Sequence, residues 1–236
     1  MRPDAPGSPS AFDTVGDDYE AQLQRGVALS GEDSCYFARE RLVWLKRRLD
    51  ETGRPVTDAL DFGCGRGNAA PLAREILGAS SIVGVDASRV LLDIANRDFA
   101  GDNVRFIHRD EFAPAGQFDL VFCNGVFHHI APAERPGALQ TIWHSLRPGG
   151  TFALFENNPW NPGTRWVMSR IPFDRDAVLL SPRGARRLLR GAGLDPVDTD
   201  FLFFFPRFAR WLRRSERWLA GVPLGAQYLV ICRRPA

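Results

Sequence analysis

The chain has 236 residues, of which 44% are hydrophobic and 25% charged, with a formal net charge of +2 at pH 7. This composition is typical of one soluble globular domain with or without a small cap, and excludes two domains of equal size. The longest apolar aromatic run, residues 201–205, is too short to span a bilayer, which takes about 20 residues. Residues 1–10 lack the apolar stretch of a signal peptide, so we expect a cytoplasmic protein.

The four cysteines are too widely spaced for a CxxC pair and too few for a disulfide framework. We expect reduced thiols, with Cys64 and Cys123 as small buried residues. The charge is distributed unevenly, since residues 183–236 hold 11 Arg against four acidic residues, a local net charge of +7. The overall balance is too small to indicate a polyanion, so no nucleic acid partner is expected.

The predicted elements begin with an amphipathic helix over residues 36–49. With the polar segment before it, this helix forms a predicted N-terminal helical lid, residues 1–54, ahead of a main domain, residues 55–236. In that domain strands alternate with helices: strands at 57–62, 81–85, 104–108, 118–123 and 151–155, and helices at 69–77, 89–100 and 133–145. The alternation predicts an α/β fold with a parallel sheet covered by helices on both faces.

The last third of the chain continues the same domain. A loop rich in Pro and Asn covers residues 156–176, and a basic helix covers residues 182–192. Two strand-like runs follow, at residues 201–205 and 227–232.

The most informative stretch is Asp61-Phe62-Gly63-Cys64-Gly65-Arg66-Gly67, where a strand runs directly into three glycines on alternate residues. Such a loop lets the backbone approach a ligand at the N-terminus of a helix, whose dipole favours a carboxylate or a phosphate. The third glycine of the dinucleotide-binding pattern would fall at Asn68, so a pyrophosphate ligand is disfavoured.

Asp86 ends the second strand, 19 residues after Gly67. This is about the spacing at which a carboxylate accepts hydrogen bonds from both hydroxyls of a ribose. The two features together predict an adenosine-like nucleoside with a compact charged tail, lying across the carboxyl ends of the first two strands.

Four stretches resemble the motifs of class I S-adenosylmethionine-dependent methyltransferases of the small-molecule type. They occur in the family's order at residues 60–67, 83–88, 118–130 and 146–150, within a resemblance that covers residues 57–155. The resemblance implies S-adenosylmethionine as cofactor and methyl transfer to a small organic acceptor by a monomer or homodimer. It also implies a Rossmann-like, doubly wound sheet of seven strands, mostly parallel with an antiparallel last strand.

The resemblance further implies which residues bind the cofactor. Asp61, Gly63 and Gly65 match positions that hold the methionine moiety, while Asn124 ends the fourth strand beneath it. Asp86 matches the ribose-binding acid, and Asp110 matches the acid that contacts the adenine amine. With a lid tyrosine and two neighbouring positions, the expected set is Tyr19, Asp61, Gly63, Gly65, Asp86, Ala87, Asp110, Glu111 and Asn124.

Methyl transfer from a sulfonium needs few catalytic residues, because alignment of the reactants supplies most of the rate. Where the acceptor must lose a proton, His128 or His129, after the fourth strand, is the expected base. On a helix the two rings would point about 100° apart, so only one could face a small ligand. Packing is the open alternative for both, and no metal site is expected because no further ligand lies at suitable spacing.

The loop that leaves the fifth strand is expected to bind the acceptor, since open α/β sheets bind ligands at their carboxyl edge. The candidate acceptor-binding residues are Tyr36, His128, Glu156, Asn157, Asn158 and Trp160. The alternative is a turn fixed by Pro, in which the Asn side chains satisfy the backbone. By the family resemblance, relatives often carry His at the position of Asn157, which argues against acid–base chemistry there.

Residues 207–220 predict a basic helix in which arginines alternate with Phe208, Trp211, Leu212, Trp218 and Leu219. Such a helix either lies in a membrane interface or packs on the sheet or over the acceptor pocket, and the second arrangement is favoured. A hydrophobic or aromatic acceptor fits both, so contact of residues 201–220 with a membrane or a lipid-linked substrate stays open.

Two other functions compete with methyl transfer. An NAD-dependent oxidoreductase would use a similar sheet, and it is disfavoured by the missing third glycine. A non-catalytic cofactor-binding or membrane-associated partner protein would instead use the basic aromatic segment.

Overall fold

The computed structural model describes Gln24, Gly26 and residues 30–171 and 177–236. Its elements follow in the order α1 (Ser34–Asp50), β1 (Asp58–Phe62), α2 (Ala69–Leu77), β2 (Ser81–Asp86), α3 (Arg89–Phe99), β3 (Val104–His108), β4 (Phe118–Asn124), α4 (Arg135–Ser145), β5 (Leu146–Asn157), α5 (Pro162–Met168), α6 (Pro182–Gly191), β6 (Asp195–Leu202), a 3₁₀ helix (Arg207–Ser215), α7 (Glu216–Leu219) and β7 (Gln227–Arg233).

The strands form one seven-stranded sheet in the spatial order β3-β2-β1-β4-β5-β7-β6. Strands β1 to β5 pair in parallel, and β7 runs antiparallel to both of its neighbours. The predicted α/β, Rossmann-like sheet with an antiparallel last strand is therefore confirmed. The strand order reverses between β1 and β4, and ligands of open α/β sheets bind outside the carboxyl ends of the strands at such a point.

Helices cover both faces of the sheet, because the central strands are apolar on both sides. Successive residues of β4 alternate between two core clusters, with Leu120 and Phe122 in one and Val121 and Cys123 in the other. Helices α1, α2 and α3 pack on the first cluster, and α4 and α6 pack on the second. This double burial is expected for parallel strands and holds the carboxyl ends of β1, β2 and β4 in fixed positions.

Helix α1 lies close to its predicted range. It begins where the Asp33 side chain caps it by accepting a hydrogen bond from the backbone N–H of Tyr36 at 2.7 Å. Its buried face, Leu42, Leu45 and Leu49, belongs to the same core cluster as the first face of the sheet. The division at residue 54 into a lid and a main domain stays a prediction.

Two strand predictions are wrong at their boundaries. Strand β5 begins at Leu146 rather than residue 151, because Leu146 pairs with Phe118 and a bulge precedes the Leu120–Thr151 pair. Strand β6 covers Asp195–Leu202 rather than residues 201–205. It is one of the two edge strands, where polar residues are tolerated, and it ends before Phe203, whose φ of 62° is left-handed.

The predicted α-helix over residues 207–220 is wrong in type. The segment is a 3₁₀ helix with a kink at Ala209, followed by the short helix α7. The expected packing of its aromatic residues is also wrong, because Phe208, Trp211 and Trp218 are 84%, 74% and 71% exposed. Among the described residues, no helix combines the length and apolarity that a bilayer-crossing segment needs.

Candidate functional site

The loop between β1 and α2 contains three glycines, so its backbone carries no side chain at alternate positions. Gly63, Gly65 and Gly67 have φ values of 78°, 52° and 78°, which non-glycine residues rarely adopt. A Cβ on Gly67 would lie 2.7 Å from Phe106 and 2.9 Å from Ala95, so Gly67 permits tight packing of the loop. A Cβ on Gly65 would have no described heavy atom within 4 Å. Gly65 therefore leaves an open space at the N-terminal end of α2.

Two buried acceptor atoms lie at the carboxyl ends of neighbouring strands β1 and β4. Within the described part of the chain, Oδ1 of Asp61 and Oδ1 of Asn124 have no hydrogen-bond partner. Asp61 is 1% exposed, and burial, followed by the charge of Asp86, raises the pKa of its carboxyl to about 8. An unpaired buried polar atom is costly, so this pair calls for a cationic or N–H donor from a ligand. The ammonium group of an amino acid fits that requirement.

Asp86 ties β2 to the glycine loop. Its Oδ2 accepts a hydrogen bond from the backbone N–H of Gly65 at 2.8 Å, and its Oδ1 accepts one from Ser88 at 2.9 Å. Burial raises the pKa of the Asp86 carboxyl, and these backbone hydrogen bonds act in the opposite direction. A carboxylate oxygen can accept more than one hydrogen bond, so Asp86 retains acceptor capacity for ribose hydroxyls.

The remaining predicted cofactor residues form the rim after β2 and β3. The carbonyl of Ala87 lies 3.0 Å from Nε2 of His108, and Asp110 is exposed with Oδ2 3.6 Å from Nδ1 of the same ring. Glu111 is exposed and forms an ion pair with Arg89 at 2.9 Å. Tyr19 lies outside the described residues. Contact of these groups with a cofactor stays a prediction.

The segment after β4 turns sharply at Gly125, whose φ is 63°. The backbone N–H of His129 then donates to the carbonyl of Val126 at 2.9 Å, so the two histidines lie in a tight turn and not on a helix. Their rings lie 4.1 Å apart, and both line the same cavity. The prediction that only one of the two could face a ligand is therefore wrong.

His128 is held by a buried carboxylate. Nδ1 of His128 lies 2.6 Å from Oε2 of Glu156, and Oε1 of Glu156 accepts the backbone N–H of Phe127 at 2.8 Å. His128 and Glu156 are 4% and 1% exposed. Glu156 was predicted to bind the acceptor, but it lies behind the cavity wall and orients the imidazole that forms part of that wall.

A cavity of about 480 Å³ lies beside the carboxyl ends of β4 and β5. Its aromatic walls come from α1, from α5 and from the segment after β6, namely Tyr36, Phe37, Trp166, Phe203, Phe204 and Phe205. Asn124 and Gly125 also line it, which places the cavity against the carboxyl end of β4. The predicted acceptor residues Tyr36, His128 and Asn157 therefore do come together.

Two predicted acceptor residues lie outside the walls of this cavity. The Asn158 amide donates to the carbonyls of Pro223 and Gly225 and accepts from the backbone of Trp160 at 3.1 Å, so its side chain fixes the turn. Trp160 is 44% exposed and stacks against Phe201 at 6.4 Å. The alternative of Asn side chains that satisfy the backbone is correct at Asn158.

The cavity wall also contains a polar group that was not among the predicted site residues. Nε of Arg41 donates to Gln227 at 2.8 Å, and the Gln227 amide donates to Asn157 at 3.0 Å. Arg41 follows Phe37 by four residues, which places both on one face of α1, so this spacing could have predicted that Arg41 lies at the cavity.

A second arginine lies beside the tyrosine of the cavity wall. Arg213 lies over the Tyr36 ring at 4.6 Å and pairs with Glu32 at 2.8 Å. Burial raises the pKa of the Tyr36 phenol to about 12, so this ring stays neutral.

The cysteines near the site are buried packing residues, as predicted. Cys64 and Cys123 are 9% and 0% exposed. Burial raises the pKa of both thiols well above its ordinary value, which disfavours the reactive thiolate.

The doubly wound sheet, the open glycine loop and the unpaired Asp61 and Asn124 oxygens form a candidate ligand site of an α/β protein at the point where the strand order reverses. The family profile of a methyltransferase domain matches residues 59–150. The ubiquinone biosynthesis O-methyltransferase of Cereibacter sphaeroides is 32% identical over 191 residues, which cover 75% of this chain and 73% of that protein.

Two further comparisons agree. The trans-aconitate 2-methyltransferase of Deinococcus radiodurans is 30% identical over 101 residues, covering 43% of this chain but only 38% of that protein. The crystal structure of an S-adenosylmethionine-dependent methyltransferase from Archaeoglobus fulgidus covers 85% of this chain and 95% of its own, with a TM-score of 0.65 at 18% identity. This chain belongs to the class I S-adenosylmethionine-dependent methyltransferases. The glycine loop is therefore interpreted as part of a methyltransferase domain, and the alternative of an NAD-dependent oxidoreductase is rejected.

Proposed function

We propose that this protein transfers the methyl group of S-adenosylmethionine to a small, largely apolar and aromatic acceptor whose nucleophilic atom carries a proton. The observation that carries the proposal is the cavity of about 480 Å³, which has aromatic walls and adjoins the end of β4. Its volume falls within the range of about 300–1,000 Å³ typical of small-molecule sites.

The residues at the carboxyl ends of β1, β2 and β4 fit the cofactor. Asp61 and Asn124 offer unpaired buried oxygens to its ammonium group, and Asp86 offers acceptor capacity to its ribose. Gly65 leaves the space that a close backbone contact needs. When bound, S-adenosylmethionine supplies an electrophilic methyl group.

The acceptor is proposed to bind among the rings of Tyr36, Phe37 and Phe203. Phe37 and Phe203 meet edge to face with their centroids 4.9 Å apart, and both residues line the cavity. The relatives named above act in ubiquinone biosynthesis and on trans-aconitate, so acceptors within the family differ widely. The aromatic walls of this cavity favour a ring over a polycarboxylate.

His128 is proposed to remove the proton of the acceptor. The Glu156 carboxylate accepts a hydrogen bond from Nδ1, which fixes the imidazole tautomer and makes Nε2 the basic nitrogen. A buried carboxylate also stabilises the imidazolium that forms when the proton is taken up. An acceptor with a phenolic or enolic hydroxyl requires this chemistry, whereas an unprotonated amine does not.

The proposal is tested by supplying labelled S-adenosylmethionine with two matched panels of acceptors, one of phenols and hydroquinones and one of aliphatic carboxylic acids. We expect label transfer to the aromatic hydroxyl compounds, with loss of transfer when their hydroxyl is already methylated. Transfer to the carboxylic acids alone would overturn the proposed acceptor class and leave the family membership untouched.

A further inference from the structure

The segment between β6 and β7 carries an exposed group of aromatic residues. Phe208, Trp211 and Trp218 are 84%, 74% and 71% exposed, and Leu224, shortly after them, is 60% exposed. Isolated exposed apolar side chains are ordinary, but three large rings within 11 residues form a concentrated apolar surface. We name this surface, residues 207–219, the aromatic–arginine segment.

Arginines alternate with these rings along the same segment. Arg207, Arg210, Arg214 and Arg217 are exposed, and the guanidinium of Arg217 lies over the Trp218 ring at 4.5 Å. Glu216, the acidic residue here, is 9% exposed and accepts the backbone N–H groups of Phe204 and Phe205 at 3.1 Å. The exposed charge of the segment is therefore entirely positive.

The mixture of charge and rings indicates the kind of partner. Aromatic residues and Arg are both enriched at protein–protein interfaces, so the rings and the arginines alone are compatible with a protein or a lipid partner. The exposed charge here is positive throughout, so the partner surface must carry negative groups along the whole segment. An anionic lipid bilayer meets this requirement, because its phosphates face the arginines while the rings enter the boundary between headgroups and acyl chains.

The segment is joined to the acceptor cavity at its base. The backbone N–H of Ala226 donates to the carbonyl of Phe203 at 3.1 Å, so the two ends of the connection between β6 and β7 are joined by a hydrogen bond. Phe203, Phe204, Phe205 and Pro206 line the cavity, and the aromatic–arginine segment begins at the next residue.

We propose that Phe208, Trp211 and Trp218, together with the arginines between them, dock this protein on the surface of an anionic lipid bilayer. Docking would place the cavity wall formed by Phe203–Pro206 beside the bilayer, where lipophilic acceptors dissolve. The docking itself rests on the exposed segment alone and holds for any acceptor.

The test is co-flotation with vesicles of phosphatidylcholine, with and without phosphatidylglycerol. We expect the protein to float with the anionic vesicles, and added salt to reduce binding because exposed charges are screened. The variant Phe208→Ala/Trp211→Ala/Trp218→Ala should bind at least about tenfold more weakly, as should Arg210→Glu/Arg214→Glu, since each basic residue near an anionic surface contributes about fivefold.

The matched control is Val43→Ala/Val90→Ala/Val197→Ala, which truncates three exposed apolar residues on α1, α3 and β6. It should bind vesicles like the wild type. Thermal unfolding and titration with S-adenosylhomocysteine show that each variant is folded, and neither readout requires an acceptor. Absence of flotation, or full binding by the aromatic variant, would overturn the proposal. So would a dimer formed without lipid that the aromatic variant alone loses, since the segment would then bind a second copy.

Discussion

The carboxylate of Glu156 lies 2.6 Å from Nδ1 of His128, and neither side chain is more than 4% exposed. Glu156 is the penultimate residue of the core strand β5, and His128 lies in a turn that lines the cavity. The hydrogen bond between them therefore fixes the imidazole ring against the sheet. The arrangement of a buried acid behind an imidazole that lines the cavity is suited to a general base.

Substitution at this pair should lower catalysis without preventing cofactor binding. We expect His128→Asn to reduce kcat about 10²-fold or more, and Glu156→Gln to reduce it about tenfold or more, because the imidazole loses its orientation. The control is His144→Asn, on the exposed face of α4. Steady-state kinetics with a phenolic acceptor, with binding of S-adenosylhomocysteine measured in parallel, checks the expectation. Wild-type kcat in His128→Asn would exclude its role as base.

Asp61 should destabilise the ligand-free protein as the pH rises. Its pKa in the folded protein is about 8 against an ordinary value of 3.8, so folding favours the protonated form and the resulting stability is lost between those two pH values. Asp61→Asn, which cannot ionise, should match the wild type near the lower value and melt several degrees higher near the upper one. Thermal unfolding of both proteins across this pH range is the measurement. A lower melting temperature for Asp61→Asn at alkaline pH would show instead that the carboxylate has a stabilising partner.

Two glycines of the loop between β1 and α2 should affect different properties, Gly67 the stability of the fold and Gly65 the binding of the cofactor. Gly67→Ala should lower the free energy of unfolding by about 2 kcal/mol or more, because its Cβ collides with Phe106 and Ala95 at a left-handed φ. Gly65→Ala should cost about 1 kcal/mol of backbone strain but weaken cofactor binding at least about tenfold, since the new methyl group fills the open space there.

Gly101→Ala is the matched control for the glycine pair, because a Cβ there has no described atom within 4 Å and its φ is ordinary. It should leave both unfolding and binding unchanged. Denaturant unfolding and calorimetric titration of the three variants check the pattern. Unaltered cofactor binding by a folded Gly65→Ala would place the ligand away from this loop.

Phe203 has a strained backbone conformation, and it also lines the cavity. Among the described residues, it is the one non-glycine position with a positive φ, at 62°. Phe203→Gly relieves this strain, worth about 1–2 kcal/mol, and loses the ring that packs against Phe37, so stability should change little. The KM for an apolar acceptor should rise about tenfold with the KM for S-adenosylmethionine unchanged. Val197→Gly, at an exposed apolar residue of β6 outside the cavity, is the control, and an equal rise in that variant would contradict the assignment of the wall.

The sequence predicted the sheet well because its evidence is local and repeated. Strands β2 and β4 are nearly continuous apolar runs that end in Asp86 and Asn124, and burial on both faces of the sheet produces that pattern directly. The positions of Asp61, Gly65 and Asp86 followed from their place at strand ends, since parallel strands finish at one edge.

The walls of the cavity were less predictable, because they depend on tertiary contacts. The run 201–205 has the composition of a strand, yet the left-handed conformation of Phe203 diverts three of its rings into the cavity. The histidine pair was assigned helical geometry, whereas the left-handed Gly125 starts a turn that brings both rings to one side. Neither conformation has a signature in the order of the residues alone.

The most direct test of the account is calorimetric titration of the protein with S-adenosylhomocysteine near pH 7, in buffers of different ionisation enthalpy. We predict micromolar binding with release of a proton, because the ammonium group lowers the raised pKa of Asp61, and loss of binding in Asp86→Ala. Wild-type affinity in a folded Asp86→Ala, or binding of NAD in place of the nucleoside thioether, would contradict it.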